Sequence, residues 1–168
     1  MSNFENIMIA STVYVDGVGK LGNCEKIMVP KLKKKTEKFR SGGMLMEREV
    51  ALGYEMMEIE FDLHNYDPQV AVQIGLFSRK NVPISVRGAF DGDTTQNALL
   101  MQCAGEFKEI DPGTFEPGKK AIMKCKAMLT SMKQTFGGNV LMDIDLLNNV
   151  YFVNGVDEYA WIRTALGV

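Results

Sequence analysis

The chain has 168 residues, 46% of them apolar and 24% charged, and a formal net charge of −2. That length suits one domain, residues 1–168, with a real core, and that apolar fraction excludes a disordered chain. No apolar run approaches the roughly 18–20 residues that span a bilayer, and the start MSNFENIMIAS has an acid and no base before its short apolar run. Neither a membrane anchor nor a signal peptide is expected, which points to a protein made and kept in a cytosol. A pI near 5.5 argues against a dedicated nucleic-acid binder, whose domain pI usually exceeds about 9.

In chain order, Ser11–Val15 is β-branched and aromatic and ends at Asp16-Gly17, a turn dipeptide; it reads as a strand. Glu55–His64 alternates, with Met57, Ile59, Phe61 and Leu63 on one face and Glu58, Glu60, Asp62 and His64 on the other. Asp67-Pro68 predicts a helix start, continued by Val70, Ile74 and Phe77 at helical spacing, with Gly75 weakening its end. Val82–Phe90 and Leu99–Phe107 alternate again, the first burying Val82, Ile84, Val86 and Phe90, the second Leu99, Met101, Cys103 and Phe107. Asp111-Pro112-Gly113 and Pro117-Gly118 mark a hairpin connection. The returning strand Lys119–Lys133 turns Ala121, Met123, Cys125, Ala127 and Leu129 inward. Val140–Leu146 and Val150–Val153 finish the β material. A short helix is expected after Gly155, with Asp157 and Glu158 in its first turn and Gly167 at its end.

One segment resists this reading. Lys31–Arg40 holds six bases (Lys31, Lys33, Lys34, Lys35, Lys38 and Arg40) and one acid, Glu37, so the rest of the chain is distinctly acidic. Leu32 and Phe39 lie seven apart, Pro30 precedes and Gly42-Gly43 follows. Local rules therefore favour a helix. A basic strip on an acidic body can hold an outside polyanion or another copy of the same body.

Catalytic chemistry is absent from the pattern. His64, the single histidine, sits on the polar face of a strand and reads as solvated or interfacial. Metal ligation would need His64 with Asp62 and Glu60, which show no ligand spacing. Gly17-Val18-Gly19-Lys20 lacks the frame of a phosphate loop and reads as a turn. Cys24, Cys103 and Cys125 are too far apart for a CxxC pair and read as buried thiols in a reducing compartment. No enzyme, cofactor or metal is expected. The face Glu58/Glu60/Asp62 is either an ordinary solvated sheet face or a surface meant to face an anion without binding it.

Five segments in order carry a resemblance: VDGVGKLG (15–22), VPKLKKKTEKFRSGGM (29–44), ALGYEMMEIEF (51–61), EIDPGTFEPGKKA (109–121) and FVNGVDEYAWIRTALG (152–167). The most distinctive are P-K-L-x-x-K-T-E-x-x-R-x-G-G-M and the closing N-G-V-D-x-x-A-x-x-R-x-x-L-G. Together they resemble the major tail tube proteins of contractile phage tails and R-type bacteriocins, over nearly the whole chain. Asp91–Gln96 and Thr130–Asn139 carry no matching motif. The resemblance implies a mainly β subunit, a β-sandwich or barrel-like unit with one flanking helix and a short C-terminal helix. It further implies hexameric rings whose sheets join edge to edge into one barrel. The rings stack into a tube that works with sheath, baseplate and tape measure proteins. DNA passes without specific binding, or the tube punctures an envelope.

On that resemblance the strip should be extended rather than helical, tertiary context overriding local preference. Lys31, Lys33, Lys34, Lys35, Lys38 and Arg40 are then expected at a contact between copies. Ser41, Gly42, Gly43, Met44, Leu45 and Met46 should form the loop to the next ring. Glu58, Glu60 and Asp62 should line the channel, where an acidic wall repels phosphate. The expected location is a virion tail assembled in a bacterial cytoplasm. Two rival readings are a tube-forming ring protein of a bacterial secretion system and a nucleic-acid binder using the lysine strip.

Overall fold

A period of two buries one face of a sheet and leaves the other wet, and that alternation governs this fold. The structure is a computed structural model and describes residues 7–75, 80–92 and 95–168. In chain order these form β1 (Ile7–Val15), β2 (Val18–Gly19), β3 (Cys24–Met28), β4 (Lys34–Phe39), β5 (Arg48–Tyr54) and β6 (Glu58–Leu63). There follow α1 (Pro68–Ala71), β7 (Val82–Asp91), β8 (Gln96–Asp111), β9 (Met123–Phe136), β10 (Asn139–Asp145), β11 (Val150–Val153), β12 (Val156–Asp157) and α2 (Ala160–Leu166).

Ten strands make one antiparallel sheet in the order β12-β11-β10-β9-β8-β7-β1-β2, with β6 and then β3 branching from β9. The branch point is a single bulge. Up to Met128, β9 pairs with β6; from Ser131 it pairs with β10. Between them, Leu129 N donates to Met57 O and Thr130 O accepts from Leu146 N, each at 2.9 Å. On the other side of β9, the register with β8 slips at Ala104/Gly105, opposite the same residues. Bulges bend strands and sharpen twist, so the sheet folds over here without closing into a barrel. The core fills the fold: Val13, Ile59, Phe61, Leu63, Ile84, Val86, Met123, Met132 and Val70 of α1 are essentially inaccessible. Burial of side chains of this size stabilises by roughly 1.5–3 kcal/mol each.

Most of the alternating positions fold as their pattern predicts, although Phe90 and Ala121, expected inside, are only half-buried. Met57, Ile59, Phe61 and Leu63 are all buried, as are Val82, Ile84, Val86, Met101, Cys103 and Phe107. The strand expected from Lys119 begins only at Met123 and runs on to Phe136. The helix at Asp67-Pro68 does start there, with Asp67 Oδ1 accepting from Gln69 N and Val70 N. It ends at Ala71, so Ile74 lies beyond it and is exposed, while Phe77 is outside the described residues. One turn suffices because Val70 alone plugs the core. The C-terminal helix starts later than expected. Val156 and Asp157 pair with β11, and Asp157 accepts from Tyr159 N and binds Arg163 from outside the helix. Gly167 ends α2 in the left-handed conformation, φ 72°.

The basic strip is extended. Lys34–Phe39 pairs with Arg48–Tyr54 in a two-stranded sheet of its own, so the local helical preference loses to hairpin pairing.

Candidate assembly surfaces

The β4–β5 hairpin is an arm. Every residue of β4 is exposed, and on β5 only Gly53 is partly covered. Strand alternation puts Lys34, Thr36 and Lys38 on one face and Lys35, Glu37 and Phe39 on the other. Lys38 lies opposite Glu49, and Phe39 opposite Arg48. Of the six strip bases, Lys33 precedes β4 and spends its charge on Glu55 of its own chain, at 2.9 Å. Lys31 lines the same shallow hollow as Lys33, Glu55, Glu58 and Glu60. Lys34, Lys35, Lys38 and Arg40 stand on the arm, facing solvent.

The arm ends in the Ser41–Met46 loop. Met44 N donates to Ser41 O at 3.1 Å, closing a turn that Gly43 enters with φ 94°. At its tip Leu45 is 90% and Met46 75% exposed. Isolated two-stranded hairpins are marginal in water, and no described residue of the subunit covers Leu45 or Met46 beyond a small fraction of their surface.

At its base the arm is anchored by tyrosines. Tyr54 Oη and Tyr151 Oη lie 3.1 Å apart, with ring centroids 5.2 Å apart; the Tyr159 ring contacts Tyr151 at 5.9 Å, tilted by 58°. Desolvation of Tyr151, then its bond to Tyr54, pushes the phenol well above its ordinary value. This cluster was not legible in the sequence, because its members are 97 residues and more apart in two cases and share no periodic segment.

Glu58, Glu60 and Asp62 point away from the core along β6, as alternation requires, but they are not a bare acidic row. Glu58 holds Lys108 at 3.0 Å and Lys126 at 3.1 Å, and Glu60 holds Lys126 at 2.7 Å. Asp62 lies between Lys124 and Lys26 in register. Hydrogen bonds from Lys108 and Lys126 keep Glu58 below the ordinary carboxylate range, and bonds from Glu60 and Glu58 hold Lys126 above the ordinary lysine range. The face carries both signs of charge, and Lys108 and Lys126 are tethered on it.

Lys20 closes no phosphate loop. It is 7% exposed, 2.5 Å from Asp67 Oδ2 and 3.3 Å from Gln69 Oε1. The Asp16-Gly17 turn returns β2 beside β1, and Lys20 N donates to Val13 O at 2.8 Å. Burial pushes Asp67 up, but the Lys20 hydrogen bond and charge outweigh it and leave the carboxyl below its ordinary value. His64 lies 3.6 Å from Glu25 at the surface. Burial pushes the Cys103 and Cys125 thiols up to about 12 and, with Asp62 nearby, Cys24 to about 11, so none is poised as a nucleophile.

The chain matches known proteins over nearly its whole length. The sequence profile of phage tail tube protein FII matches residues 5–167. The chain belongs to the phage tail tube protein FII family. It is 28% identical over 161 residues to the tail tube protein of Escherichia phage P2, covering 93% of this chain and 94% of that one. It is 26% identical over 160 residues to the major tail tube protein of Serratia phage KSP20, covering 94% and 93%. The fold is shared with a chain of the PVC sheath–tube complex of an extracellular contractile injection system, extended state, at a TM-score of 0.56 and 10% identity. That match covers 74% of this chain and 87% of the other. A chain of the corresponding sheath/tube terminator gives 0.57 at 10% identity, over 76% and 94%. Phage tail tube proteins are structural components of the virion tail, and this chain is one of that family.

Proposed function

We propose that this chain, as one unit from 1 to 168, builds the inner tube of a contractile phage tail or related injection particle and catalyses nothing. Copies close head to tail into hexameric rings, and rings stack into a hollow tube. The tube is sheathed outside, seated on a baseplate and measured by a tape measure protein. It is assembled in the host cytoplasm, and it conducts DNA or punctures an envelope. The observation that carries this reading is the β4–β5 arm, whose Lys34, Lys35, Lys38 and Arg40 make no ion pair within the subunit among the described residues, and whose tip residues Leu45 and Met46 stand exposed. Open edges support it. Among the described strands, β3 pairs only with β6, and β1 pairs on its outer side only at Tyr14 and Val15. Unpaired edges invite pairing, and a heterologous contact that closes removes them.

In this reading Lys34, Lys35, Lys38 and Arg40 meet acidic surface of a neighbouring copy. Reversing Lys34, Lys35 and Lys38 to Glu should leave the far-UV spectrum unchanged, since all three are exposed, and abolish tubes in electron micrographs at physiological salt. Normal tubes from that variant would remove the strip from the contact. Salt-dependent duplex binding by the purified subunit, with no rings or tubes, would favour the nucleic-acid reading instead.

Glu58, Glu60 and Asp62 are proposed to line the channel. The part of Glu58 and Glu60 is to restrain Lys108 and Lys126, which would otherwise bind phosphate and drag on passing DNA. Glu58→Gln with Glu60→Gln should therefore give tubes that retain duplex DNA at low salt and release it as salt rises. Equal retention by wild-type and variant tubes would place this face elsewhere.

A further inference from the structure

We infer that the arm tip Met44–Leu45–Met46 of one copy docks in the tyrosine-lined cavity at the arm base of a second copy. The inference rests on the assembly reading above and names the receptor for its arm. The cavity has a volume of about 390 Å³ and is walled by Leu32, Tyr54, Met57, Ile144, Leu146 and Tyr151. That is near the lower end of the roughly 300–1,000 Å³ typical of binding clefts, room for a short aliphatic run.

Three observations select this occupant. The first is chemistry: Leu45 and Met46 are among the most exposed apolar side chains of the described chain, and methionine sulfur packs well against aromatic rings such as Tyr54, Tyr151 and Tyr159. The second is charge. The tip lies between Arg40 and Arg48, with Glu47 beside it, while the cavity carries Asp145 as well as Glu55, which Lys33 already holds. A bond from the Asn148 side chain holds Asp145 below the ordinary carboxylate range, so that rim stays anionic. The third is reach. Leu32 and Tyr54 at the base of the arm are themselves walls of the cavity, and β5 carries the chain away from it over Arg48–Tyr54. Seven residues of strand span about 20 Å at roughly 3.3 Å each. With the β4–β5 hairpin formed, the tip therefore cannot reach its own cavity, and a second copy supplies it.

The test is disulfide trapping between singly substituted chains. Leu45→Cys subunits are mixed with Leu146→Cys subunits, assembled, and oxidised mildly; both positions are exposed enough to tolerate the change. The expected product is a covalent heterodimer on non-reducing gels from the mixture, absent from a mixture of Leu45→Cys with Lys119→Cys. A second arm uses Leu45→Asp, which should keep the folded monomer and lose tubes. Normal tubes without the heterodimer, or trapping as strong at Lys119→Cys, would overturn the docking site and leave the assembly reading standing. Absence of rings and tubes from the wild-type chain would overturn both.

Discussion

Gly105→Ala is expected to cost roughly 3 kcal/mol or more, at the upper end of what overpacking does, and to leave little folded protein. A Cβ at Gly105 would stand 2.0 Å from Met128 O and 3.0 Å from Leu129 Cα. Both are backbone, so no rotamer change relieves the clash; β8 and β9 would have to part. They part at the worst place, where β9 hands over from β6 to β10. Thr130 sits at this corner, its Oγ1 3.1 Å from Ala104 O and 2.9 Å from Asn81 Oδ1. The check is the chemical denaturation midpoint, with Gly42→Ala as control, since a Cβ there meets nothing within 4 Å. An unchanged midpoint for Gly105→Ala would show that the two strands are not this close.

Lys20→Met should cost roughly 1–3 kcal/mol, because it removes the ammonium partner of the partly buried Asp67 carboxylate and leaves it only the bonds from Gln69 N and Val70 N. Adding Asp67→Asn should recover much of that loss: an Asn still caps α1, and no charge is then left unpaired. The same pair sets an acid limit. Asp67 titrates below its ordinary 3.8 in the folded chain, with burial opposing and Lys20 prevailing. Its contribution is complete above the unfolded pKa and is lost as pH falls through the lower, folded one. Wild type should therefore lose stability on acidification below about pH 4 more steeply than the Lys20→Met/Asp67→Asn protein does. Parallel acid profiles would show that the pair carries no such coupling.

The sequence makes the body legible and leaves the handovers dark. Periods of two name nearly every buried side chain of β6, β7, β8 and β9, because burial on one face is a local property of the pattern. The arm is the opposite case. Lys31–Arg40 carries a helical spacing of Leu32 and Phe39, yet pairs with Arg48–Tyr54, whose exposed, irregular pattern announces no strand. Resemblance supplied the extended state that residue preference did not. Short elements escape for another reason: β3 and β12 owe their form to neighbours distant in sequence, β6 and β11, and their own residues show little. The candidate surfaces divide in the same way. The outward turn of Glu58, Glu60 and Asp62 follows from alternation, but Lys108 and Lys126, the partners of Glu58 and Glu60, come from β8 and β9, and only pairing reveals that the face carries both signs of charge. Lys20 looked like a turn residue because nothing near it in sequence foretells Asp67.

The bareness of the arm also has a kinetic side. An element held to the body mainly at Tyr54, with solvent on nearly every residue, has little free energy of its own. Fixing its backbone costs roughly 1–2 kcal/mol per residue, and the free subunit has few contacts to offset that. On the proposed assembly, two free subunits that meet would fix two arms for one contact, whereas a subunit arriving at a finished ring would find arms already fixed. Growth on an existing end is thus favoured over spontaneous starts. A pool of this protein should stay soluble at concentrations where a seed converts it rapidly, and the number of tubes is then set by the number of seeds rather than by the supply of subunits.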